Sequence, residues 1–173
     1  MIDLKPACDR MVELLARVTD DQLNLPTPCS EYSVADLIAH VDEATVGFTA
    51  MAGKSPDGQD VAQHVLALGK AWDEPSAWQG STTAAGVELP NERWGKIALT
   101  EIVVHGWDLA KVLGQSFELP EETLRACYDH VAEFVPKAPL PELWGPRVDV
   151  AADAPLLDRI VAITGRDPSL TMG

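Results

Sequence analysis

The chain has 173 residues, 46% of them apolar and 23% charged, the proportions of a soluble globular protein long enough to bury a core without staples. Thirteen basic against 27 acidic side chains give a net charge of −14, which argues against nucleic acid or an anionic membrane surface as partner, since both require a basic footprint. No apolar run approaches ~20 residues, so no segment is expected to span a bilayer.

Residues 3–18 (DLKPACDRMVELLARV) read as a first helix, with Ala7, Met11, Leu14, Leu15 and Val18 on its apolar stripe. Thr19 to Gln22 has the pattern of a capping box, and Pro26 and Pro28 break any continuation. A second capping box, Ser33 to Asp36, starts a helix that runs to about Met51, before Gly53. Ser55-Pro56 suits the start of a third helix over roughly 57–73, and residues 74–90 (EPSAWQGSTTAAGVELP) read as a long turn-rich loop. The fourth helix starts near Asn91 and ends before Gly114; a fifth opens at Pro120 with two glutamates and reaches about Val135. Pro136, Pro139, Pro141 and Pro146 mark an extended connector, and Asp153-Ala154-Pro155 starts a short last helix that Gly165 ends. Only VDV at 148–150 has any look of an edge strand. The class is all-α, a four-helix bundle with an additional C-terminal helix and tail, in a single domain over 1–173.

The stretch IALTEIVVHGWDLAKVLG (97–114) has apolar residues on nearly every side, which marks a helix buried at the centre of its domain. It nevertheless carries Glu101 and His105, whose spacing of four puts both on one face, one turn apart. A carboxylate rarely enters a core unless something pairs with it or coordinates through it. His40, in VADLIAHVDEATVGF, lies on the helical face of Leu37, Ala44 and Gly47. Two imidazoles and one carboxylate from two inward faces would form an open divalent-metal site. The bland alternatives are a helix-stabilising pair for Glu101 and His105, and a hydrogen-bonded core histidine for His40.

Three segments, PTPCSEYSVADLIAHV (26–41), EIVVHGWDLAKVLG (101–114) and DAPLLDRIVAITGRDP (153–168), resemble the actinobacterial metal-binding family related to the N-terminal domain of mycothiol-dependent maleylpyruvate isomerase, within the DinB-like superfamily. The signatures P-C-S-E-[aromatic]-[ST]-V-x-D-L-x-x-H and E-x-x-x-H-x-W-D-L-A are specific as a pair. Tyr32 stands where the family usually has tryptophan, and the chain is expected to lack the further C-terminal domain of the full isomerase. The resemblance implies a DinB-like bundle whose metal ligands are His40, Glu101 and His105. It also implies a divalent ion, zinc first and nickel as an alternative on purification, that activates a small thiol such as mycothiol. The thiol would act on an electrophilic small-molecule substrate in a transferase or isomerase reaction. The alternative is a non-catalytic metal-binding bundle with a structural ion, and a third reading has a buried hydrogen-bond network with no metal.

Asp108 lies one turn beyond His105 and either orients a ligand imidazole, touches substrate, or is a buried acid paired with an arginine. Arg166 either binds a substrate carboxylate, should the tail fold over the site, or is a surface arginine or the partner of Asp167. Trp107 reads as core or interface packing; Trp78 and Trp94, which flank the long loop, read as packing residues, with a pocket wall as the alternative. His64 and His130 read as solvent-facing. Cys29 reads as a small packed residue in the PTPCS turn, and Cys8 and Cys127 as helix packing. Three scattered cysteines without metal spacing imply no disulfide framework and a reducing, cytoplasmic setting. Monomer and homodimer both remain open.

Overall fold

The computed structural model describes residues 1–138 and 144–172. Six α-helices carry the architecture: α1 (Lys5–Leu15), α2 (Val34–Met51), α3 (Val61–Ala71), α4 (Asn91–Val112), α5 (Glu121–Phe134) and α6 (Leu156–Ile163). Helices α1 and α2 each pack against both α3 and α4, so the order around the bundle is α1–α3–α2–α4. Consecutive α1 and α2 therefore sit on a diagonal, and the connection over residues 16–33 has to cross the end of the bundle. Both capping boxes predicted there form: Thr19 with Gln22, and Ser33 with Asp36. The chain is an all-α DinB-like fold, with α5 packed on α4 and α6 packed on α5.

Helix α4 is the centre of the core. Its residues are buried without interruption from Ala98 through Ala110, Glu101 alone being half-buried. Met11 and Leu14 of α1, Leu37 of α2, and Val65 and Leu68 of α3 close around it with at most 1% of their surface exposed. The indole of Trp72 is wholly buried and donates its N–H to the Phe48 carbonyl at 3.1 Å, so the polar atom of the largest core side chain is satisfied. Trp107 is core packing, and Cys8 and Cys127 are buried helix residues.

Several local expectations need correction. The third helix starts at Val61 rather than near 57, because the Asp60 carboxylate accepts from the Gln63 amide at 2.9 Å and so makes the stronger N-cap. Residues 74–90 are not a loop: a short 3-10 turn (Pro75–Trp78) leads into a hairpin of β1 (Ser81–Ala84) and β2 (Val87–Pro90). Ala85 and Gly86 both take positive φ, 49° and 77°, the geometry of a two-residue turn that matches strand twist. Trp94 of α4 donates its indole N–H to the Thr82 carbonyl at 2.8 Å and ties the hairpin down. VDV at 148–150 forms no strand; Val148 instead donates its amide to the Ala162 carbonyl at 2.9 Å. Of the proline connector, Pro136 lies in a 3-10 turn, Pro146 in irregular backbone, and Pro139 and Pro141 outside the described residues.

His130 is not solvent-facing. It is 4% exposed, stacked on Phe134 with ring centroids 5.0 Å apart, because α5 lays that face on the bundle. His64 is half-buried, with Nδ1 2.7 Å from the Asp42 carboxylate. No helix among the described residues is long and apolar enough to cross a membrane.

Candidate metal centre

The capping box at Ser33 fixes where α2 begins, and with it the direction in which His40 projects nearly two turns later. Because α2 packs on α4, His40 meets the face carrying Glu101 and His105. One oxygen, Glu101 Oε2, lies 3.1 Å from His40 Nε2 and 3.2 Å from His105 Nε2. The two imidazoles are edge-on, with centroids 4.8 Å apart, and Tyr32 packs against the outer side of His40 at 5.4 Å. The three residues predicted as a group are thus together at one point.

Electrostatics there are dominated by burial and by the groups offsetting it. Burial by itself pushes the Glu101 carboxyl up, but hydrogen bonds from His105 and His40 outweigh this and hold it well below the usual carboxylate range. Burial likewise disfavours a charged His105, yet Asp108 and Glu101 on either side raise it to about 9. Two acids facing one imidazole through opposite nitrogens form a relay fixed at both ends.

The far end of the relay is built from the chain's last turns. His105 Nδ1 is 3.0 Å from Asp108 Oδ2. Asp108 is fully buried, and Arg166 grips both its oxygens, Nε to Oδ1 at 3.2 Å and Nη2 to Oδ2 at 2.9 Å. A third guanidinium nitrogen, Nη1, donates to the Thr164 carbonyl at 2.8 Å. Arg166 reaches this position because α6 ends in a Schellman motif: the Gly165 amide bonds Ala162 O and the Arg166 amide bonds Val161 O. Gly165 has φ +87° and lies so close to Gly145 that an added Cβ would sit 2.5 Å from the Gly145 Cα. Lys111, in the last turn of α4, holds the tail beyond by donating to the carbonyls of Pro168 and Leu170. Arg166 is therefore neither a surface residue nor the partner of Asp167; sequence reasoning had both halves of the Asp108–Arg166 pair without joining them.

Three donors, each offering one atom, lie within 4.8 Å of one another. Ligands of a tetrahedral zinc ion at 2.0–2.1 Å are separated by roughly 3.3 Å, close to the 3.1 and 3.2 Å found from Glu101 to each imidazole. The donor set and its spacing fit a divalent cation. Cys29, His105 and Asp108 also fall within such a distance, but that acid is committed to Arg166 and to His105 Nδ1. Cys29 instead stands half-buried in the pocket wall, where burial pushes its thiol up against the downward pull of Arg166.

Above the donors opens a pocket of about 360 Å³. Residues 28–32 form one wall, Trp144, Gly145 and the Thr164–Arg166 tail another, and His40, Glu101 and His105 line it with them. Tyr32, which the sequence presents only as a stand-in for the family's usual tryptophan, lines the pocket, and the hairpin beside the site reads in the sequence as a loop.

Comparison with known proteins bears on the family of the chain. The family model described as the mycothiol maleylpyruvate isomerase N-terminal domain matches residues 4–66, the part that contains His40. Two uncharacterized proteins of Mycobacterium tuberculosis, from two strains, are each 36% identical over 129 residues, covering 67% of this chain and 68% of the relative. No solved structure matches the chain. The chain belongs to the mycothiol maleylpyruvate isomerase N-terminal domain family.

Proposed function

We propose that this protein binds a divalent metal ion, zinc in the first place, through His40, Glu101 and His105, and uses it with mycothiol or a similar small thiol in a transferase or isomerase reaction. The observation that carries the reading is the Glu101 oxygen placed between two imidazoles, one of which is braced from behind. Because Asp108 holds the Nδ1–H of His105, a cation that displaces the Nε2 proton would meet the lone pair directed at Glu101 and His40, the tautomer a metal ligand needs. Arg166 balances the Asp108 charge and keeps that acid an acceptor. A cation held there supplies Lewis acidity that favours the thiolate form of a thiol.

The family name supplies mycothiol, and the pocket supplies polar walls for such a ligand: Ser30, Tyr32, Thr164 and the edge of Arg166. The reaction class follows from thiolate chemistry. In an isomerisation, sulfur bonds the β-carbon of an unsaturated acid, the carbon–carbon double bond becomes single and rotates, and sulfur leaves as the double bond re-forms. In a transfer, the sulfur–carbon bond stays and a leaving group departs, the thiol proton going to solvent through the pocket mouth.

Untagged protein loaded with cobalt and titrated with mycothiol tests the reading. A thiolate-to-cobalt absorption band supports it; a stoichiometric ion without that band assigns the ion a structural role instead. His40→Ala and His105→Ala should each abolish stoichiometric metal binding with the helical circular dichroism retained. Unchanged metal content in both variants would reject the site.

A further inference from the structure

Beside the polar pocket lies a second cavity of about 240 Å³ that shares His40, Glu101 and Trp144 with it. Its remaining walls are hydrocarbon. Ala44 and Phe48 come from α2, Ile97 from α4, and Phe134 from the end of α5. The hairpin closes it: β1 and β2 alternate, turning Ala84, Val87 and Leu89 inward while Thr83 and Glu88 face solvent. Trp94 adds its ring, and its indole N–H is already donated to Thr82 and offers a ligand nothing polar. The contrast with the first chamber is sharp, because a polar ligand entering here loses its water and meets few polar groups, those of His40, Glu101 and Trp144.

We infer that the substrate is an electrophile with an aryl or branched-alkyl arm, and that this arm occupies the apolar chamber while the thiol occupies the polar one. The reading rests on the thiol chemistry proposed above. The two chambers meet at His40 and Glu101, so a molecule seated in the apolar one presents its reacting carbon at that boundary. Size agrees: a dry apolar cavity of about 150 Å³ holds benzene, and this one is larger at about 240 Å³. Charge agrees too, since no lysine or arginine lines the chamber to pair with an anionic arm. Ala84, Ala85, Val87 and Leu89 make the hairpin the specificity-determining wall, with the two alanines leaving the space free.

Binding of fluorobenzene, followed by 19F line broadening, tests the chamber without relying on activity. Saturable broadening is expected for the wild type and for Glu88→Gln on the outer strand face. Val87→Asp, which introduces a charge, and Ala84→Phe, which fills the space, should each weaken it about tenfold or more with helical content retained. Absence of saturable binding in the wild type, or binding unchanged in both inner-face variants, overturns the assignment. The second arm uses zinc-loaded protein and mycothiol with benzyl chloride or neutral chloroacetamide. In both, a sulfur–carbon bond forms as carbon–chlorine breaks, releasing chloride and a proton. A kcat/KM preference for benzyl chloride over chloroacetamide, relative to the uncatalysed rates and lost in Ala84→Phe, supports the inference. Conjugation of chloroacetamide without fluorobenzene binding overturns the inference and keeps the thiol reading. Fluorobenzene binding with no conjugation of either chloride overturns the substrate assignment, while the thiol reading itself falls only if the thiolate-to-cobalt band is also absent.

Discussion

Replacing Arg166 with methionine removes the guanidinium while keeping most of the side chain's apolar bulk. In the native protein that group makes two hydrogen bonds to Asp108, at 2.9 and 3.2 Å, and one to the Thr164 carbonyl at 2.8 Å. Arg166 is 7% exposed and Asp108 0%, so neither loss is made good by water. Breaking a buried ion pair by deleting one partner costs about 3–5 kcal/mol, because the other charge stays behind. His105 Nδ1 still faces Asp108, which places the expected loss at the lower end, about 3 kcal/mol. For a chain of this length that is a fall in Tm of roughly 6–12 °C. Urea unfolding followed by far-ultraviolet circular dichroism should show a lower midpoint at unchanged slope. The double variant Arg166→Met/Asp108→Leu should recover part of the loss, since no uncompensated charge remains. A loss below about 1 kcal/mol in the single variant, or no recovery in the double one, refutes a buried brace.

Asp108→Asn keeps an acceptor for His105 but removes the charge; affinity for zinc, measured by competition with a chelator, should fall about 10–100-fold, and unchanged affinity would deny the relay its role. His130 should make stability depend on pH. Burial first, then Arg93 and Lys96, lower its folded pKa from 6.5 to about 4, so the unfolded chain takes up a proton that the folded one refuses. The contribution is complete above pH 6.5, is lost progressively as pH falls towards 4, and on the order of 2–3 kcal/mol is at stake; His130→Leu should flatten the curve between those limits, and an unaltered curve would exclude His130 as its source. Gly95→Ala puts a methyl 2.8 Å from the rings of Trp72 and Trp78, so about 1–3 kcal/mol of overpacking should exceed the ~1 kcal/mol gain in helix propensity and lower the urea midpoint; a raised midpoint would show that the indoles can move aside.

The residues that make the bundle and the donors were readable because each carried a local signal. Helix α4 is apolar all round and so had to be central, and its Glu101–His105 spacing needed no tertiary information. The Ser33 box fixed the phase of α2 and with it the face of His40. What escaped was set by distance or by weak local preference. Asp108 and Arg166 are 58 residues apart, and only packing chooses among an acid's possible cations. His130 has polar neighbours in sequence, while its burial comes from the face that α5 lays on the bundle. The hairpin strands are four residues each, of small side chains, and their turn puts an alanine at φ 49°, a place where glycine or asparagine would have announced it.

The brace behind His105 also dictates the order in which the centre can mature during synthesis. Ribosomes deliver His40, Glu101 and His105 first, and at about 5–20 residues per second Arg166 follows His105 by roughly 3–12 s. In that interval Asp108 has no guanidinium, and the nascent helix holds its imidazole loosely. On the proposed reading, a cation met early would be gripped weakly and would exchange until the finished tail locks the tautomer.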